Sequence, residues 1–261
     1  MTTETAGYWG LPTATVDWCE TNYEHVHHVS ELFNSVSSLA MVLVGVLGIA
    51  LHRGVLERRF TLAFALVAVV GLGSVAFHST LRFEHQMMDE LPMLYLVSVI
   101  AYILVENRPE RRFGVWFPLA LLGYALVATA LTAGMRGKLQ SYLFLSSFTT
   151  LEVLALVGTY LIHRRSQDAL GRRVFRFGMS SYAIALIAWD SDTRFCATLN
   201  QVLPSMDIPN PQLHAWWHVL VSIGFYTLLL VIAYNRLKTL GKAPRFGFAA
   251  GFIPFVRPST A

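Results

Sequence analysis

Leu213-His214-Ala215-Trp216-Trp217-His218-Val219-Leu220-Val221-Ser222-Ile223-Gly224-Phe225-Tyr226-Thr227-Leu228-Leu229-Leu230-Val231-Ile232-Ala233-Tyr234 contains no Asp, Glu, Lys or Arg. An apolar run of about 20 residues is what a helix needs to cross the hydrocarbon core of a bilayer. His214 and His218 stand at its start, four residues apart, so both imidazoles fall on one helical face and can reach one ion. Ionisable groups at the edge of lipid are costly and mark functional sites. A third histidine, His78, closes another apolar stretch in Gly73-Ser74-Val75-Ala76-Phe77-His78. Three histidines with an open fourth position form the layout of a catalytic zinc rather than a structural one. The residues therefore point to a membrane-embedded zinc hydrolase.

Composition agrees with a membrane chain. Hydrophobic residues make up 54%, charged ones only 14%, and the mean hydropathy is +0.50. Seven apolar runs can span a bilayer, at about 33–51, 61–78, 91–105, 115–133, 141–162, 177–191 and 213–234. The expected fold is an all-α seven-transmembrane helix bundle. Residues 1–32 form a polar N-terminal segment, 33–234 the bundle, and 235–261 a tail with Pro244, Pro254 and Pro258, expected to be loosely ordered. The N-terminal stretch lacks a basic start followed by an apolar region, so it does not read as a signal peptide. Sixteen of the twenty Lys and Arg residues lie in 52–60, 106–113, 163–176 and the tail; Arg82, Arg136, Lys138 and Arg194 lie on the other side. Basic residues favour the cytosolic face, so the C-terminus is expected in the cytosol and the N-terminus in the lumen or exterior. These loops account for the net charge of +4, and no nucleic-acid partner is implied.

The other histidines sort by position. His52 and His163 sit beside arginines at the opposite helix ends, His25, His27 and His28 in the polar N-terminal segment, and His85 in what reads as a short loop. Cys19 and Cys196 both fall on the non-cytosolic side, where an oxidising compartment would let them pair; two free thiols is the alternative. Ser74 lies four residues before His78, on the same helical face. Asp89 is expected to open the third span, with the turn from 79 to about 88 folding it back beside His78. A carboxylate there can take a proton from a zinc-activated water, and a serine hydroxyl can donate to a developing oxyanion. Equally, an intramembrane serine can bond its own helix's carbonyl, and Asp89 can cap the third helix.

The chain resembles the alkaline ceramidases, members of a membrane superfamily that includes adiponectin-receptor-like proteins. The resemblance runs through Gly7-Tyr8-Trp9-Gly10, Asp17-Trp18-Cys19-Glu20-Thr21-Asn22-Tyr23, Glu31 with Asn34, Gly73-Ser74, Phe77-His78 and Asp89-Glu90-Leu91-Pro92-Met93. It continues in Trp189, Asp192, Phe195-Cys196 and His214-Ala215-Trp216-Trp217-His218. What it implies is a seven-span fold with a lumenal N-terminus, zinc (Zn2+) held by His78, His214 and His218, and catalytic roles for Ser74 and Asp89. The implied reaction is hydrolysis of the ceramide amide to a sphingoid base and a free fatty acid, in the endoplasmic reticulum or Golgi. Cys19 and Cys196 match the family's disulfide positions. By the same resemblance Asp17, Glu20, Asn22, Glu31 and the backbone oxygen of Trp18 form a calcium (Ca2+) site. Hard calcium takes such oxygen ligands, although an acidic lead-in to a first span is otherwise a solvated segment and no EF-hand pattern is present. Extra imidazoles at His27, His28 and His85, and Arg194 beside Cys196, depart from the pattern.

Three functions are thus in contention. A ceramide hydrolase draws its lipid substrate sideways from the bilayer. An adiponectin-receptor-like sensor is expected in the reverse orientation, against the charge bias. A metal transporter needs polar groups along a path, and mid-span only Glu152 and Asp190 come near it.

Overall fold

The computed structural model describes residues 7–259. Seven long helices follow one another: α1 (Leu32–His52), α2 (Arg58–Thr80), α3 (Phe83–Val105), α4 (Trp116–Gly134), α5 (Gly137–Arg165), α6 (Ala169–Arg194) and α7 (Leu213–Thr239). Short helical turns, Thr198–Val202 and Leu203–Ser205, lead from α6 into α7. The chain ends in an antiparallel hairpin of β1 (Pro244–Ala249) and β2 (Ile253–Pro258). Six helices, all but α6, are long and apolar enough to cross a membrane, and the protein is an all-α integral membrane bundle with one small hairpin. Helix α7 is the central one, with 67% of its apolar window buried, against 17% for the peripheral α4.

Helix α6 has the length of a span, but Arg172, Arg173 and Arg176 crowd one end and Asp190, Asp192 and Arg194 the other. Its buried positions, Val174, Phe175, Gly178, Ser181, Tyr182, Ala185 and Ala188, recur every three or four residues and form one stripe packed along α7. Phe177, Ile184 and Ile187 are exposed on the opposite side, as lipid-facing residues are. The main core gathers Phe60, Phe64, Ile100, Tyr226, Leu229 and Leu230 between α1, α2, α3 and α7.

Two expectations need correction. The third span was expected to begin near 91, after a turn over 79–88; α3 instead starts at Phe83. The whole reversal is made by Leu81 and Arg82. Leu81 is left-handed (φ 49°), its amide donates to Phe77 O, and its carbonyl accepts from the amides of Thr13 and Ala14, both at 3.0 Å. Hydropathy marks only the lipid-immersed part of a helix, and the polar first turns of α3 are helical because Phe83, Gln86, Met87 and Glu90 bury one face. His85 therefore lies on α3, bonded through Nδ1 to Thr80 Oγ1 (2.7 Å), and Asp89 sits inside the helix rather than capping it.

The tail is the second correction. Residues 244–258 are an ordered hairpin tucked under α1 and α7. Val256 is fully buried, its amide donates to His52 Nε2 (3.1 Å), and Tyr226 Oη donates to Pro254 O (2.6 Å). The turn at Ala250 and Gly251 uses two positive φ values, and the prolines stand toward the ends of the strands, where a missing N–H is tolerated.

Candidate metal centre

The three histidines meet. His78 near the end of α2 and His214 and His218 at the start of α7 are buried, and one ligand-capable atom from each lies within 4.8 Å of the others. They are the only group of three or more His, Cys, Asp or Glu among the described residues close enough to share an ion. Each ring is held from outside. His78 Nδ1 is 2.5 Å from Glu31 Oε2, so the carboxylate fixes the ring and leaves Nε2 free. His218 Nδ1 is 2.9 Å from Ser37 Oγ and 3.3 Å from Ser38 Oγ. Trp18 stacks on His214 at 3.7 Å, and the His214 amide donates to Asp192 Oδ1 (3.2 Å).

The donor set fits a metal. His78 Nε2 and His214 Nδ1 are buried with no hydrogen-bond partner. Orphaned buried nitrogens are rare and costly, and two of them in one cluster of imidazoles suit the binding of a cation.

Ser74 and Asp89 arrive beside this cluster from α2 and α3. Ser74 is buried and accepts from Ser38 Oγ (2.9 Å) rather than bonding its own helix's carbonyl. Asp89 is brought in by a close helix contact: a Cβ on Gly73 would lie 2.0 Å from Met88 O. Only glycine allows α3 to approach α2 there. Ser74, Asp89, His214 and His218 all line a cavity of about 340 Å³ that runs inward between the helices. Its walls are otherwise mainly apolar, with Met93, Phe144, Phe148, Val221 and Phe225 among them, and they end near Glu152, whose carboxylate accepts from Tyr182 Oη. Mostly apolar pockets with a few convergent polar groups are the usual form of a ligand site.

The N-terminal segment closes over the cluster. Cys19 and Cys196 form a disulfide, with Cα atoms 5.3 Å apart. Asp192 bridges its two sides, accepting from the Cys19 amide through Oδ2 and the His214 amide through Oδ1. Arg194 pairs with Asp190 at 2.7 Å on the surface. The side chains expected to hold calcium bond within the chain. Glu20 caps α1 by accepting from the amides of Phe33 (2.7 Å) and Asn34 (2.9 Å). Glu31 accepts from the Trp18 amide (3.1 Å) and Asn34 Nδ2 (3.2 Å) besides meeting His78. Asp17 accepts from Asn22 Nδ2. Burial pushes Glu20 up to about 6 and Glu31 up to about 8, in each case against hydrogen bonds that favour the ionised form. Both are buried acids with no Lys or Arg partner among the described residues, an environment a cation would relieve.

Ser37, Ser38 and the bridging role of Asp192 were not among the expected site residues. A signal existed for the serines: Ser35, Ser37 and Ser38 interrupt the first apolar run near its polar end.

Known proteins share this arrangement of sequence. Residues 10–257 match the family model described as Ceramidase. Alkaline ceramidase 3 of Mus musculus is 32% identical over 258 residues, covering 96% of this chain and 94% of that protein. The alkaline ceramidase of Arabidopsis thaliana is 26% identical, covering 97% and 95%, and that of Drosophila melanogaster 29%, covering 94% and 87%. With a family match over nearly its whole length, the chain belongs to the ceramidase family.

Proposed function

We propose that this protein hydrolyses the amide bond of ceramide-type lipids, releasing a sphingoid base and a free fatty acid, with zinc held by His78, His214 and His218. The observation that carries the reading is two unpartnered histidine nitrogens in a three-histidine cluster, beside Ser74 and Asp89 at the polar end of an apolar cavity. Zinc, when bound, supplies a Lewis acid that polarises a carbonyl and lowers the pKa of water.

The chain's own residues do the rest. Asp89 takes the proton as water oxygen adds to the amide carbonyl carbon. It returns that proton to the amide nitrogen as the C–N bond breaks, so the amine leaves neutral and the acid keeps the water oxygen. Ser74 donates a hydrogen bond to the oxygen that gains charge in the tetrahedral intermediate. Glu31 holds His78, and Ser37 and Ser38 hold His218, so the imidazoles do not reorganise during the reaction. The cavity takes the lipid chains and excludes bulk water from the reacting carbon.

The same reading places seven spans in the membrane, counting α6, with the N-terminus and the histidines toward the lumen of the endoplasmic reticulum or Golgi and the basic loops in the cytosol. Calcium bound by Asp17, Glu20, Asn22, Glu31 and the Trp18 carbonyl orders the N-terminal segment and does no chemistry. The supporting observation is that Glu20 and Glu31 are buried with no Lys or Arg partner among the described residues. Because Glu31 also touches His78, Asp17→Asn rather than Glu31→Gln isolates the calcium effect.

The test is fatty-acid release by purified protein from a panel of ceramides, before and after zinc removal. Metal-dependent release supports the hydrolase. Ion flux into vesicles without release would mean a transporter, and neither would leave the receptor reading.

A further inference from the structure

At the end of the bundle away from the histidines, α5, α6, α7 and β1 enclose a second pocket of about 220 Å³. Its outer wall carries His163, Arg165 and Lys238, and its inner wall Ile162, Val231 and Phe246. Arg165 and Lys238 are exposed and make no ion pair or side-chain hydrogen bond among the described residues. His163 is held by stacking on Phe175 (centroids 4.0 Å apart), and its Nδ1 is buried without a partner. Local acid does not neutralise this wall. Residues 163–176 contain five arginines and one carboxylate, Asp168, while 235–261 contain no Asp or Glu. Asp168 bonds two lining residues, accepting from the Gly171 amide and from Tyr234, and its single charge leaves the wall formed by Arg165 and Lys238 net positive.

We propose that this pocket binds the phosphate of an anionic membrane lipid. Arg165 and Lys238 meet the charge, and the His163 ring, held against Phe175, forms one side of the pocket. A lipid fits better than free phosphate because the pocket is partly lined by Ile162, Val231 and Phe246, and α5 and α6 also expose apolar side chains that acyl chains can cover. Val157 and Leu161 are exposed on α5 and Phe177 on α6, and the two helices touch only sparsely. Basic pockets between transmembrane helices at the positively charged face take anionic headgroups by this combination of charge and apolar depth. The site is independent of the hydrolytic reading, since it shares no residue with the histidine cluster.

The experiment uses the full chain in nanodiscs of phosphatidylcholine alone, with phosphatidic acid added, or with inorganic phosphate added, followed by melting temperature and native mass spectrometry. Phosphatidic acid raises the melting temperature and stays bound, whereas inorganic phosphate at equal concentration does neither. The double variant R165Q/K238Q weakens lipid retention roughly thirty-fold, the loss expected for two surface charges. R165K/K238R, which keeps the charge, retains it. R173Q/K242Q removes two exposed basic residues outside the pocket and also retains it. Equal losses in R165Q/K238Q and R173Q/K242Q would overturn the pocket in favour of diffuse attraction. An equal response to inorganic phosphate would overturn the lipid assignment. A melting transition of R165Q/K238Q in phosphatidylcholine alone that matches the parent's shows that the variant is folded.

Discussion

Two buried clusters at opposite ends of this bundle, one around Arg236 and one around His78, treat their polar side chains in opposite ways. At the hairpin end Arg236 is buried and its guanidinium is matched: Nε and Nη2 bond the Glu57 carboxylate at 3.0 and 2.7 Å, and Nη1 bonds the carbonyls of Asn107 and Arg108. Arg59 meets the same carboxylate at 2.7 Å, and His52 is spent on Gly48 O and the Val256 amide. At the other end His78 and His214 are just as buried, yet each keeps a nitrogen with no partner, and the cavity opens beside them. A charge balance that closes on itself fastens helices together. One left open is kept for something that is not part of the chain.

That contrast can be broken at either end. The largest effect is expected from Asp89→Asn, which on the proposed mechanism removes the proton acceptor while leaving the histidines intact. Turnover should fall about 10²- to 10⁴-fold with zinc content unchanged, measured by fatty-acid release and metal analysis on the same sample. Unchanged turnover would take Asp89 out of the chemistry. Cys196→Ser comes next. The disulfide closes a separation of 177 residues and anchors the segment carrying Trp18 and Asp192's partner amide, so its loss should cost about 2–5 kcal/mol in urea unfolding. A variant as stable as the parent would show that the closed lid over the open end is held by other contacts.

Gly73→Ala probes how the open end is assembled. The added methyl meets Met88 O, so α3 must move off α2 and carry Asp89 with it. The expected cost is about 1–3 kcal/mol of stability, with kcat falling more than KM rises. The smallest effect belongs to the closed end. Burial raises the Glu57 carboxyl, but hydrogen bonds and charge from Arg236 and Arg59 outweigh it and hold the group below the usual 4.5. A lowered acid stabilises the fold above its unfolded value, and the contribution is lost as pH falls through the lowered one. Melting temperature should therefore drop in acid, and less steeply in Glu57→Gln. The difference should be modest, because the Glu57 side chain is 39% exposed and screened by solvent.

The same contrast explains what could be read from residues alone. The geometry of the open end was legible because it is written in spacing: the four-residue separation of His214 and His218, Ser74 four before His78, and two cysteines on one side of the charge map. Position then decided which histidines belonged. The closed end was not legible, because Arg236 and Glu57 are 179 residues apart and nothing local marks either as buried. The hairpin was hidden for the same reason: its prolines read as disorder, and only the fit of Val256 against His52 gives it a fixed place. The start of α3 was misplaced because hydropathy sees lipid contact and not helicity, so the polar turns holding His85 and Asp89 read as loop. Ser38 and Asp192 act through contacts with other helices, and no pattern in their own segments gives their partners.

The central claim is that the unpartnered nitrogens of His78 and His214 belong to a metal. Zinc content and ceramide hydrolysis measured together on purified protein, for the parent chain and for His78→Ala, His214→Ala and His218→Ala, test it most directly. The account predicts one zinc per chain in the parent, loss of both metal and turnover in each variant, and melting behaviour in the metal-free parent that shows the bundle still folded. Stoichiometric zinc with near-normal turnover in any one of the three variants would contradict it.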